Sequence, residues 1–151
     1  MPIAIKDSKI DISSEETTKE LAKDLTHYLK GGEIIYLYGE MGVGKTTFVR
    51  HLINQFQKNK NLHITEVTSP TFNLLNEYDI NDLVIKHYDL FRLKDESEIK
   101  NLDLFENNQS TITLIEWPQL ISKNKSIKTI DLIFSYENEL NNRSVKIDGL
   151  N

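Results

Sequence analysis

Apolar positions along this chain follow two periods, and the switches between them mark out its elements. Ile3/Ile5 and Ile10/Ile12 alternate with polar residues as a strand or hairpin does. Ser13 or Ser14, followed by Glu15 and Glu16, then signals a helix start, with Ser13 and Glu16 at capping-box spacing. Leu21, Leu25, Tyr28 and Leu29 give that helix one apolar face, and Gly31-Gly32 ends it. Glu33 to Tyr38 is a short apolar, β-branched and aromatic run, the pattern of a buried strand. Helical spacing returns from Thr46 to Gln57, where Phe48, Leu52, Ile53 and Phe56 recur on one side, and 57–61 reads as a solvated loop.

Farther along, Ser69-Pro70-Thr71 separates two runs with strand character, because Pro70 cannot donate to a ladder and pushes Ser69 toward extended geometry. Phe72 to Tyr78 and Leu83 to Leu90 flank a hairpin turn at 79–82. The acidic stretch 94–108 spaces Ile99, Leu102, Leu104 and Phe105 as one or two short helical turns, expected to cap the sheet. Thr111 to Ile115 is another buried-type strand. Finally Ile127 to Tyr136 alternates, 137–142 turns, and Arg143 to Ile147 returns with Val145 and Ile147 inward, a terminal antiparallel hairpin. The expectation is one α/β domain over 1–151, with a mixed sheet whose parallel core carries antiparallel flanking strands and a C-terminal hairpin, covered by helices.

Composition narrows the chemistry. A chain of 151 residues buries roughly 70% of its unfolded surface in one core, with little left for a second. It has no cysteine, which excludes disulfides, thiolate metal sites and cysteine nucleophiles together. The net charge of -5, with Arg50, Arg92 and Arg143 as the three arginines, argues against gripping a long nucleic acid unaided. No run approaches the roughly 20 apolar residues of a membrane span, and residues 1–7 carry no long apolar segment, so a cytoplasmic location is expected.

Between the strand at 33–38 and the helix beyond it stands Gly39-Glu40-Met41-Gly42-Val43-Gly44-Lys45-Thr46, which matches the phosphate-binding pattern G-x-x-x-x-G-K-[ST]. Strand, glycine loop and helix in that order make an anion site. Glycines let backbone N–H groups approach phosphate oxygens, and the helix start adds unpaired donors and the positive end of its dipole. Lys45 would reach the outer phosphates and the Thr46 hydroxyl would ligate magnesium; the bland alternative is a Gly-rich βα turn with an exposed lysine. Asp89 ends an apolar strand, where a nucleotide site needs its second carboxylate. His87, one alternation step away on the same face, either partners that site or is structural. Arg92 pairs with an acid or with phosphate, and Ser69 and Thr71 either contact a phosphate or a metal-bound water, or simply shape a connection. Glu116 reaches the edge that holds Lys45 if its strand runs parallel to the one before the loop; otherwise it is a surface acid. Trp117, beside Pro118, reads more readily as core packing.

Four motifs in order resemble the TsaE (YjeE) family of bacterial ATPases, which takes part in making the threonylcarbamoyladenosine modification of tRNA. They are the glycine loop with Thr47-Phe48-Val49-Arg50, then Ser69-Pro70-Thr71-Phe72, then His87-Tyr88-Asp89-Leu90-Phe91-Arg92-Leu93, then Ile115-Glu116-Trp117-Pro118. The resemblance spans residues 39 to 118 and implies a P-loop NTPase-like three-layer fold. It implies ATP bound through Gly39, Met41, Gly42, Val43, Gly44, Lys45, Thr46 and Thr47, with Thr17 and Arg143 nearby. Mg2+ would sit at Thr46, Asp89 and Glu116, and catalysis would fall to Lys45, Asp89 and Glu116. Also implied are a TsaD-like threonylcarbamoyl transferase and a TsaB-like companion, with tRNA met only through that complex, no membrane, and hydrolysis that is weak alone and stimulated by the partners. Phe91 replaces a usual tyrosine, and Asp103 falls where a glycine is common, which predicts a different path for the cap. Alternatives are a non-catalytic nucleotide-gated scaffold and a small P-loop kinase, the latter disfavoured by the scarcity of arginine clamps. A GTPase switch is disfavoured because neither Asn-Lys-x-Asp nor Asp-x-x-Gly occurs.

Overall fold

The computed structural model describes residues 9–70, 73–104, 109–121, 128–138 and 141–150. The expected strand positions Ile3 and Ile5, and Thr71, Phe72, Phe105 and Ile127, lie outside these residues. In chain order the elements are β1 Lys9–Asp11, α1 Glu15–Leu25, β2 Ile34–Tyr38, α2 Lys45–Asn59, β3 Leu75–Ile80, β4 Leu83–Asp89, a 3₁₀ helix Glu96–Leu102, β5 Thr111–Glu116, β6 Thr129–Tyr136 and β7 Arg143–Asp148.

The seven strands form one sheet in the order β1-β7-β6-β2-β5-β4-β3. Strands β6, β2, β5 and β4 run parallel, while β1, β7 and β3 pair antiparallel at the flanks. The mixed sheet is therefore as expected, and β6–β7 is the terminal hairpin. The two central strands are apolar nearly throughout because both their faces are covered. Ile35, Leu37, Leu114, Leu132 and Phe134 pack under Leu21 and Leu25 of α1 and Phe48, Leu52 and Phe56 of α2. On the opposite face Ile34, Tyr36, Tyr88 and Ile115 gather with Leu104 and the partly buried Ile99 and Leu102 of the 3₁₀ helix. The Tyr88 hydroxyl donates to the Leu102 carbonyl at 2.9 Å and pins that layer to β4. Asp103 adopts φ +52°, a left-handed conformation that glycine takes freely and aspartate tolerates, and it caps the 3₁₀ helix at its C-terminal end.

Two local expectations are corrected. Ser14, not Ser13, caps α1, its hydroxyl accepting from the Glu16 N–H at 3.2 Å. Ser13 is engaged elsewhere: its hydroxyl accepts from the Arg143 N–H at 2.9 Å, across the β1–β7 edge, so the capping box does not form. Helix α1 also ends at Leu25 rather than running to Gly31. The Thr26 hydroxyl donates to the Lys23 carbonyl at 2.7 Å, and the chain turns so that Leu29 drops into the core. The buried Glu33 carboxylate then accepts from the N–H groups of Lys30 and Gly31, which organises the entry to β2. A side chain at Gly31 would strike the Gln109 carbonyl, so the loop approach demands glycine there.

Candidate functional site

The parallel strands β2, β5 and β4 end side by side at one edge of the sheet, and the residues at and just beyond their ends make the site. From Tyr38 the chain passes through Gly39–Gly44 into α2, with φ of +147° at Gly39, +79° at Gly42 and +116° at Gly44. A Cβ on Gly39 would lie 2.9 Å from the Phe134 carbonyl and from the Val43 side chain, so the loop is packed tightly on β6. Gly44 caps α2 with no side chain to bond the first-turn N–H groups, and no acidic residue occupies that turn. The positive end of α2 is left facing the cleft.

Lys45 is almost fully buried at 4% exposure. Its ammonium donates to the Gly39 carbonyl and lies 3.6 Å from the centre of the Trp117 ring, a cation–π contact. Burial pushes the lysine's pKa down, while the Glu116 and Asp89 carboxylates pull it back up. Those two carboxylates are neighbours because register makes them so: Glu116 pairs with Asp89 on one side and with Leu37 on the other. Burial holds the Asp89 carboxyl above its ordinary value, against the Phe91 N–H that donates to it at 3.0 Å. The Thr46 hydroxyl lies 3.0 Å from the Ser69 hydroxyl and 3.4 Å from each Glu116 oxygen. His87 is fully buried, its Nε2 2.6 Å from Glu116 Oε2.

Of the expected site residues, Met41, Gly42, Gly44, Lys45, Thr46, Thr47, Asp89, Glu116 and Arg143 line one cleft of about 360 Å³, together with Ser69, Phe91 and Trp117. Gly39 contributes its carbonyl to Lys45, and Val43 is wholly buried beneath the loop. Thr17 sits in the first turn of α1 and does not line the cleft. Arg143 lies over the loop, its Nη1 3.6 Å from where a Cβ on Gly44 would be, while its Nη2 donates to the Ser13 carbonyl at 3.3 Å. The cleft offers anion donors and oxygen ligands together. Among the described residues no group of three or more His, Cys, Asp or Glu is placed to hold a metal by itself. An oxygen set of one hydroxyl and two carboxylates suits magnesium that takes its other ligands from phosphate and water.

The family whose model matches residues 12–145 is described as threonylcarbamoyl adenosine biosynthesis protein TsaE. The chain belongs to the TsaE family. A Rickettsia conorii protein named tRNA threonylcarbamoyladenosine biosynthesis protein TsaE is 44% identical over 110 residues, 73% of this chain and 61% of that protein. Proteins of the same name from Rickettsia bellii and Bacillus subtilis are 43% and 38% identical, over 76% and 72% of this chain and 76% and 65% of theirs. The matched stretch thus spans about three-fifths of the Rickettsia conorii and Rickettsia felis relatives, 61% and 62% of their lengths. The crystal structure of Bacillus subtilis YdiB superposes with a TM-score of 0.66 at 21% identity, over 99% of this chain and 90% of that one, and so shares its fold.

Three features of this TsaE-family site are not legible in the sequence. The partner of His87 is Glu116 on β5 rather than its strand neighbour Asp89; alternation signals the shared face but not the pairing. Ser69 reaches Thr46, and no pattern in the loop announces that. Trp117, expected as simple core packing, does touch the second-face cluster, but its ring also lines the cleft between Lys45 and Phe91. It sits at φ +59°, a conformation a bulky residue adopts only when surroundings enforce it.

Proposed function

We propose that this chain binds ATP with magnesium in the cleft and hydrolyses it slowly, acting with a TsaD-like threonylcarbamoyl transferase and a TsaB-like companion in threonylcarbamoyl modification of adenosine next to the anticodon in tRNA. The observation that carries the nucleotide half is the convergence on one cleft of an uncapped helix N-terminus, Lys45, and the strand-end carboxylates Asp89 and Glu116. Loop N–H groups and Lys45 hold the phosphates. Thr46, Asp89 and Glu116 supply the oxygen ligands for magnesium, which would neutralise charge on the phosphates as they react. Glu116 is only 2% exposed yet lines the cleft, a position suited to holding that metal or orienting a water. The names borne by the relatives support the tRNA half, and a net charge of -5 fits contact with tRNA through partners. A cytoplasmic setting accords with this reading; among the described residues no helix is long and apolar enough to cross a membrane.

The test is magnesium-dependent ATP hydrolysis by the chain alone and with TsaB and TsaD equivalents added. Lys45→Ala is expected to lose tight nucleotide binding. Glu116→Ala is expected to keep metal-free binding and lose turnover by roughly a hundredfold or more. Unchanged hydrolysis in both variants overturns the ATPase reading, and binding without turnover in every setting favours a nucleotide-gated scaffold.

A further inference from the structure

We propose that His87 is a positioning residue for Glu116, holding the carboxylate beside the Thr46 hydroxyl and so at the metal site. This role rests on the nucleotide reading of the cleft. Parallel register pairs His87 with Leu114 and Asp89 with Glu116, which places His87, Asp89 and Glu116 on the face of the sheet that α2 covers. The imidazole is fully buried and the Glu116 side chain is 3% exposed. An ionised carboxylate so placed is costly unless it is hydrogen-bonded. Among the described residues Glu116 has one short bond, to His87 Nε2 at 2.6 Å; its two contacts with Thr46 are 3.4 Å long and share a single hydroxyl hydrogen.

His87 Nδ1 is buried with no hydrogen-bond partner among the described residues. The ring's hydrogen bonding among the described residues is therefore made through Nε2 alone, to Glu116. His87 thus holds Oε2 of the carboxylate, while Oε1 has no short bond among the described residues. Ligating carboxylates are oriented by such outer partners, whose loss typically costs about 10–100-fold in metal affinity.

The experiment is calorimetric titration of the chain with ATP, with and without magnesium, for wild type, His87→Leu and His87→Gln. His87→Leu is expected to cut the magnesium-dependent gain in ATP affinity by about 10–100-fold while metal-free ATP binding stays as in wild type. His87→Gln, which keeps an N–H donor, is expected to recover most of the gain. A full magnesium gain in His87→Leu overturns the proposal, as does an equal loss of metal-free and metal-dependent binding, which would mark a purely structural histidine. Should the variants not fold, nitrogen NMR of the wild-type ring decides: a proton on Nε2 supports the bond that holds Glu116, and a bare Nε2 overturns it. If wild type binds ATP but gains nothing from magnesium, the magnesium part of the reading fails and the role of His87 falls with it; if it binds no ATP at all, the nucleotide reading fails.

Discussion

At the end of β4, Asp89 carries its carboxyl where burial raises its pKa and the neighbouring Glu116 charge pushes the same way. A raised folded-state value means that the native protein holds the proton more tightly than the unfolded chain. The ionised group therefore weakens the fold at neutral pH, and that penalty is absent below the ordinary value of 3.8. Asp89→Asn, whose amide oxygen can still accept from the Phe91 N–H, is expected to raise Tm at neutral pH, with the gain vanishing in acid. If Asp89 ligates magnesium as proposed, the same variant should lose at least the roughly 10–100-fold in magnesium-dependent ATP affinity that outer-partner changes cost. Thermal melts across pH, set beside metal titrations, check both halves. A lowered Tm at neutral pH would contradict the assignment of burial as the dominant influence on this group. Such opposition between stability and ligand affinity is expected wherever charges are gathered before their counter-ion arrives.

Helix α1 illustrates how the ends of an element are decided by neighbours. Ser14→Ala is expected to cost about 1 kcal/mol through loss of the cap, measured by denaturant unfolding. Ser13→Ala should instead loosen the bridge to Arg143 and act on the cleft rather than on the helix. The first turn of α1 is also tied to α2: Glu15 lies 2.9 Å from His51 and 3.0 Å from Arg50. The His51 bond chiefly, with Arg50 assisting, lowers the Glu15 pKa. Its folded value lies below the unfolded one, so the stabilisation is present above the ordinary value of 4.5 and is lost as pH falls through the folded value. Glu15→Gln should melt below wild type at neutral pH, and the two curves should converge in acid. The glycine loop and α2 are legible in the sequence because their signals are local, a spaced motif and a 3.6-residue period. The early end of α1 is not, since its stop depends on how Thr26 and Leu29 meet the rest of the core.

For the molecule as a whole, α1, α2 and the faces of β2, β5 and β6 that they cover share one apolar cluster. One cooperative transition is therefore expected, with far-ultraviolet dichroism and Trp117 fluorescence coinciding. Leu52→Ala, fully buried within that cluster, is expected to cost about 2–5 kcal/mol and to shift both signals together. Separate transitions would divide the chain into more than one folding unit.

Local spacing suffices to specify most of the elements, the terminal hairpin, and the glycine loop with its lysine and hydroxyl. Each is written in residues close together in the chain. Which distant side chains meet is settled by long-range packing instead: His87 with Glu116, Lys45 with Trp117, Thr46 with Ser69, and Ser13 with Arg143. Those meetings depend on strand order and register, which are set by closing the whole core. A one-residue slip of β4 against β5 would turn His87 away from Glu116 while leaving every local pattern in the chain unchanged.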